Sequence, residues 1–249
     1  MKRWLLIVGV LLAGACSQAQ VKQYGVKVVK EYPHRTDAYT QGLFFQDGIL
    51  WETTGQYGES TIRTVDLASG EPTQLKKLNS KYFGEGSVIL DGVLYVLTWT
   101  NKVAFKYDAA TLTYQKTLSY PREGWGITTD GKQLIASDGS ANLFFLDKDL
   151  KLLKRQLVTM NGRPLRYLNE LEWIDGKIWA NVYTTDTIVI INPADGKVEA
   201  AIDCSGLLPR KLRKKDTDVL NGIALDAEGR IYLTGKKWPR LYQVELVKK

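Results

Sequence analysis

The sequence predicts an all-β protein: a five-bladed β-propeller with four-stranded antiparallel blades around a central channel. Three observations carry that prediction. A tight turn between two apolar β-forming runs recurs five times, with its glycines at 48, 92, 131, 176 and 229. The spacings of 44, 39, 45 and 53 residues are those of propeller blades. After each of the first four hairpins comes a second turn between β-formers, so that one repeat holds four strands. A β-sandwich also has short, evenly spaced strands, but it does not require the same turn to return with a four-strand period.

In chain order the first hairpin is Phe44 to Trp51 and its second turn Val65 to Gly70. The next repeats read Val88 to Tyr95 with Tyr107 to Thr111, Ile127 to Leu134 with Leu146 to Leu150, and Leu171 to Trp179 with Ile191 to Gly196. Asp-Gly between β-formers is a strong hairpin signal, because glycine takes the positive φ that a primed turn demands. The fifth repeat, Ile223 to Tyr232, has only one more strand, Tyr242 to Leu246. Val26 to Tyr32, ahead of the first hairpin, is free to supply the missing strand and close the ring. No helical periodicity of useful length is present.

The chain has 249 residues, 44% hydrophobic and 24% charged, the balance of one ordinary folded domain, expected over residues 16–249. Residues 1–15 read instead as an export signal peptide: Lys2 and Arg3, an apolar run from Trp4 to Leu12, then Ala13-Gly14-Ala15. Cleavage before Cys16 leaves a cysteine first, as in bacterial lipoprotein signals, with plain secretion as the alternative. The expected location is the periplasm or outer membrane, with the lipid on Cys16 as the only membrane contact. Wild-type protein in its native host should then enter the membrane fraction and Cys16→Ala should leave it; a wholly soluble exported wild type would refute the anchor.

Cys204 is then the only cysteine left in the folded part, which excludes an internal disulfide and makes it a small buried hydrophobe. Without Lys2 and Arg3, 32 basic side chains face 27 acidic ones. That spread of net +5 favours no polyanion, so no nucleic-acid partner is expected. The dense run Arg210, Lys211, Arg213, Lys214 and Lys215 falls in the longest spacing and reads as a solvated insertion. A monomer is expected.

In a propeller the innermost hairpin of each blade lines the channel. Seven residues back from the turn glycines stand Gln41, Glu85, Gly124 and Asn169, with Trp125 and Asn221 one step away. Seven forward stand Gly55, Trp99, Asp138, Tyr183 and Lys236. Antiparallel pairing brings both sets to one mouth. Aromatic walls with a few convergent polar groups describe a small-ligand pocket. Glu85, between Gly84 and Gly86 just ahead of the strand beginning at Ser87, has backbone room for a substrate and is the candidate acid/base. Taken singly, the asparagines read equally as turn caps and the tryptophans as packing. The single histidine, His34, rules out a Ser-His-Asp triad or a His-rich zinc site, and no phosphate-binding loop or dinucleotide fingerprint occurs.

Tyr39-Thr40-Gln41-Gly42-Leu43, Phe83-Gly84-Glu85-Gly86, Leu168-Asn169-Glu170-Leu171-Glu172-Trp173, Ala180-Asn181-Val182, Leu220-Asn221-Gly222 and Thr234-Gly235-Lys236-Lys237-Trp238-Pro239 together resemble the plant and bacterial type of glutaminyl-peptide cyclotransferase. The resemblance runs from Tyr39 to the C-terminus through all five repeats. It implies cyclisation of N-terminal glutamine of peptides or proteins to pyroglutamate with loss of ammonia. By the same resemblance Glu85 is the acid/base and Lys236 falls on another pocket position. Lys236 is expected to be catalytic with Glu85, with Gln41 and Asn169 as alternatives for holding the amide oxygen. Gln41, Tyr39, Phe83, Trp99, Trp125, Asn169 and Tyr183 bind substrate. Where that family usually has Trp, this chain has Tyr183. No cofactor or catalytic metal is expected, with a structural channel ion left open. The competing readings are a non-catalytic peptide-binding propeller and a metal-dependent lactonase-like propeller, the latter using Glu85, Asn169, Asn221 and Asp138 around an ion.

Overall fold

A computed structural model describes residues 20–249; the expected export signal and Cys16 lie outside the described residues. The chain opens with β1 (Lys22–Pro33) and then builds its first blade from β2 (Thr40–Gln46), β3 (Ile49–Thr54), β4 (Thr61–Val65) and β5 (Pro72–Lys77). The second blade is β6 (Gly84–Leu90), β7 (Val93–Thr98), β8 (Val103–Asp108) and β9 (Tyr114–Ser119). The third is β10 (Ile127–Thr129), β11 (Leu134–Ser137), β12 (Asn142–Leu146) and β13 (Leu152–Leu157). A small hairpin, β14 (Thr159–Met160) and β15 (Arg163–Pro164), precedes the fourth blade. That blade is β16 (Leu168–Ile174), β17 (Lys177–Val182), β18 (Thr187–Ile191) and β19 (Val198–Asp203). The fifth is β20 (Leu220–Leu225), β21 (Ile231–Gly235) and β22 (Arg240–Lys248), completed by β1.

The inner strands touch in a closed ring, β2 beside β6, β6 beside β10, β10 beside β16, β16 beside β20, and β20 back beside β2. Every residue of β6 is buried, whereas β5, β9 and β13 at the rim are mostly exposed. The gradient follows from position: an inner strand is packed between neighbouring blades along its whole length, polar residues included, while an outer strand meets water. Cys204 is buried in an apolar cluster with Ile188, Ile202 and Leu207, as expected, and burial pushes its thiol up to about 12. The basic run lies exposed in the insertion between β19 and β20, around a single 3₁₀ turn at Arg210–Leu212.

The recurrent turns divide into two kinds. Asp47-Gly48, Asp91-Gly92 and Asp175-Gly176 have positive φ at both residues, the primed geometry. The third and fifth loops are longer, residues 130–133 and 226–230, and are held by side chains instead. Asp130 Oδ1 accepts the backbone N–H groups of Lys132 and Gln133, and Asp226 Oδ1 those of Glu228 and Arg230. Among the described residues no helix is long and apolar enough to cross a membrane.

Closure uses β1 as the sequence predicts: it pairs antiparallel with β22 from Tyr24↔Lys248 to Pro33↔Arg240. It also pairs parallel with β19, Lys22↔Ala200 to Gly25↔Asp203, which fuses the fourth and fifth blades into one eight-stranded sheet. Just past β1, His34 sets one ring nitrogen 2.7 Å from the Trp238 carbonyl and the other 2.9 Å from Glu52 Oε1. Burial pulls the imidazole down, but the Glu52 charge and hydrogen bond and the Trp238 carbonyl outweigh it, so the His34 pKa is raised. A raised imidazole stabilises the fold fully below its unfolded value of about 6.5 and loses that contribution as pH rises through the folded value. The stability difference between wild type and His34→Gln in thermal melts should therefore shrink as pH rises through that window. A difference that is flat with pH would show that His34 holds the seam without its charge.

Candidate active site

The side chains that matter are presented by bulges. The first hairpin of four blades slips register at the same end: between Thr40 and Gly42, Gly84 and Ser87, Leu168 and Leu171, and Leu220 and Ile223. The residues inside those slips include Gln41, Glu85, Asn169 and Asn221. A bulge leaves a residue unpaired and re-aims its side chain, which is how residues of a strand come to point into a mouth.

Gln41, Glu85 and Asn169 line one cavity of about 190 Å³ together with Tyr39, Phe83, Trp99, Trp125, Tyr183 and Lys236. All nine site residues predicted from the sequence are thus brought together. Gln56, also in the lining, was missed. It follows Gly55, one of the counted positions, and its φ of 92° is a conformation that side chains other than glycine rarely take.

Two other counted residues go elsewhere. Asp138 is not in the lining; its carboxylate accepts the Ser140 N–H, because the longer third loop moves a count from Gly131 off the mouth. Asn221 is fully buried and donates to the Thr40 carbonyl at 2.9 Å and to Gln41 Oε1 at 3.4 Å, so it supports Gln41 from behind. Of the ion-binding set Glu85, Asn169, Asn221 and Asp138, only Glu85 and Asn169 line this cavity. Among the described residues no three His, Cys, Asp or Glu side chains gather where an ion could be held.

The glycines beside Glu85 also have a different use from the one expected. A Cβ on Gly86 would lie 2.7 Å from the Trp125 carbonyl, and one on Gly84 would lie 2.8 Å from the Thr54 carbonyl. The room is taken by adjoining blades, whose backbones approach closely enough for Gly86 N to donate to the Trp125 carbonyl at 2.8 Å. Gly84-Glu85-Gly86 is correspondingly part of β6, not a loop ahead of it.

Glu85 is 5% exposed, and among the described residues no hydrogen bond contributes to its ionisation. Burial pushes its carboxyl well above the usual carboxylate range, Lys236 pulls it back in part, and Glu123 adds to the rise. Lys236 is 3% exposed, and burial pulls its ammonium down against the pull of Glu85 and Asp218. Its Nζ lies 4.8 Å from the ring centre of Tyr39 and 4.9 Å from that of Tyr183. Two aromatic faces thus stand in for much of its lost hydration. Tyr183 is therefore more than a smaller wall: it meets Trp125 edge-on at 5.4 Å and shares the lysine with Tyr39. The Tyr39 hydroxyl donates to Asp218 Oδ2 at 2.7 Å, so the insertion helps to set the pocket through a residue that no repeat count finds.

The walls are seated on glycines. A Cβ on Gly55 would fall 2.2 Å from the Phe83 ring, and one on Gly139 2.6 Å from the Trp125 ring. Phe83 in turn meets Tyr39, Tyr57 and Trp99 edge-on, making a continuous aromatic belt. Glu170, another buried carboxyl on an inner strand, is outside the lining. It accepts the N–H groups of Leu43 and Ile223 and so ties three inner strands together.

Fold and site together define a class: a closed five-bladed propeller whose one mouth holds a small pocket of aromatics and amides around a single carboxyl and a single amine. Within that class the chain belongs to the glutamine cyclotransferase family, whose sequence profile matches residues 4–246. A curated glutaminyl-peptide cyclotransferase from Arabidopsis thaliana is 42% identical over 227 residues, spanning 89% of this chain and 71% of the relative. The crystal structure of Myxococcus xanthus glutaminyl cyclase is similar at a TM-score of 0.86 with 35% identity. That match covers 92% of this chain and all of the other.

Proposed function

We propose that the protein is a glutaminyl-peptide cyclotransferase that converts N-terminal glutamine of peptides and proteins to pyroglutamate, with Glu85 as general acid/base. Family membership supports the overall reaction. The observation that carries the mechanism is a buried carboxyl that, among the described residues, accepts no hydrogen bond and is the only one lining a pocket otherwise made of aromatics, amides and one lysine.

In the reaction the α-amine nitrogen bonds to the side-chain amide carbon and the bond from that carbon to its own nitrogen breaks, releasing ammonia. The substrate arrives largely as an ammonium, with a free pKa of about 7.7 to 8. A carboxylate whose pKa is raised by burial is a better match to that ammonium than an ordinary glutamate is, so transfer of the proton costs less. Glu85 takes one proton from the ammonium, which frees the amine to attack, and passes it to the departing nitrogen, which leaves as ammonia. The second proton shed by the attacking nitrogen as the ring amide forms goes to the carboxylate so freed and is then lost to solvent. Lys236 stabilises the amide oxygen as it becomes negative, with Gln41 and Asn169 supplying further donors. The aromatic belt curls the glutaminyl side chain so that its two reacting atoms meet, and orientation of this kind is worth up to roughly 7 to 11 kcal/mol.

None of these steps calls on a metal. Incubation with a Gln-initiated peptide and a strong chelator should give full mass loss of one ammonia, at the same rate as without chelator. Binding without mass loss would leave a non-catalytic peptide receptor, and a chelated, folded enzyme revived by added zinc would refute the proposed chemistry.

A further inference from the structure

Glu123 is outside the pocket lining, yet one of its carboxylate oxygens accepts the indole N–H of Trp99 at 2.9 Å and that of Trp125 at 3.2 Å. The two tryptophans come from different blades. Trp99 follows β7 of the second, and Trp125 precedes β10 of the third. Glu123 lies on the connection between those blades, where the next residue, Gly124, donates its N–H to the Thr98 carbonyl at 3.0 Å and fixes the connection to the end of β7.

Each indole has a second support. Trp99 meets Phe83 at 5.5 Å, and Trp125 meets Tyr183 at 5.4 Å above Gly139. The N–H bonds to Glu123 add a directional constraint on the rotation of each ring about χ2. Trp99 in particular is 37% exposed and would otherwise sample several orientations. A charged acceptor shared by both N–H groups makes the two orientations depend on each other.

We propose that Glu123 is a positioning residue for cyclisation: it clamps two tryptophan walls across the junction of the second and third blades, so that the pocket already has the shape for a glutaminyl side chain before substrate arrives. This rests on the pocket being the cyclisation site. Its energetic basis is preorganisation, since ordering two large rings ahead of binding removes that cost from the binding step. The same carboxylate adds negative charge near Glu85, so its removal has an electrostatic consequence separable from the geometric one.

The test compares wild type, Glu123→Ala and Glu123→Gln on a Gln-initiated peptide across pH, together with ¹⁵N indole spectra of the substrate-free proteins. Glu123→Ala should lower kcat/KM about tenfold, chiefly through KM, the scale of a lost hydrogen bond to a charged group. Glu123→Gln keeps an oxygen that accepts both N–H groups, so it should recover most of that loss. Because its charge is gone, the acid limb of its kcat profile should move to lower pH. In Glu123→Ala the indole N–H signals of Trp99 and Trp125, assigned through their Phe variants, should shift upfield while those of the other tryptophans stay in place. In a Trp99→Phe background, Glu123→Ala should cost less than it does in wild type.

Kinetics within twofold of wild type in Glu123→Ala, equal losses in the Ala and Gln variants, or unmoved indole signals would each overturn the clamp. The indole spectra read the clamp without turnover, so its failure is distinguishable from a failure of the cyclisation reading, which assay of Glu85 variants reports.

Discussion

Glu85→Gln is expected to lower turnover by about two to four orders of magnitude while KM stays within a few fold, the pattern of a lost proton transfer. The amide keeps the size of the carboxyl and lies among the same walls, so substrate still binds. In wild type the acid limb should lie above the usual carboxylate range, because activity falls as Glu85 gains its proton and burial has raised the pH at which it does so. Stability provides a control with a definite sign. A carboxyl raised by burial binds protons more tightly folded than unfolded, so its ionisation weakens the fold as pH rises from its unfolded value towards its folded one. Glu85→Gln should therefore melt at or above the wild-type temperature at neutral pH, which separates lost chemistry from lost fold. A variant releasing ammonia near the wild-type rate would reduce Glu85 to a polar wall and send the search for the base to another group.

Lys236→Met should lower kcat by about 10²- to 10³-fold, the cost of removing one donor aimed at a developing oxyanion. Methionine is unbranched and comparably long, and it can fill the space between the Tyr39 and Tyr183 rings. The variant should also displace the acid limb to higher pH, because Lys236 is the group that pulls the Glu85 carboxyl down. The two readouts are independent, one reporting charge on the substrate oxygen and the other charge on the base. If Lys236→Met changed KM alone and left both kcat and the limb in place, the lysine would bind substrate without assisting the reaction.

What could be read in the sequence was whatever repeats. The turn glycines mark the inner hairpins because positive φ is a local demand, and counting from them reaches Gln41, Glu85, Trp99, Asn169, Tyr183 and Lys236 because antiparallel pairing converts equal counts into equal heights. The same arithmetic misplaces Asp138, since it assumes a two-residue turn where the third blade has four. Gln56, Glu123 and Asp218 were not legible because they lie on connections, whose course is set by tertiary contacts and not by a period. The glycines flanking Glu85 were legible as special positions but not as to purpose: what crowds them is the Trp125 and Thr54 carbonyls of adjoining blades, atoms far away in sequence. Strand β1 was legible as the missing fifth-blade strand. Its parallel pairing with β19 was not, because nothing in a short apolar run says on which second edge it will lie.

That strand fixes when the protein can become itself. Tyr24 pairs with Lys248, so the first described strand has no antiparallel partner until nearly the whole chain has been made. Four blades can form in order from hairpins that are local in sequence, but ring closure is the contact of greatest sequence separation and is expected to come last and slowly. Until then the unpaired edges of β1, β19 and β22 are open to pairing with other chains, which makes the half-closed ring the aggregation-prone species. The pocket inherits the same timing. Gln41 is on the first blade, Lys236 on the fifth, and His34 bridges the two, so the site is complete only when the two ends of the chain have met. Nascent or truncated chains should therefore be inactive whatever the order of their individual blades.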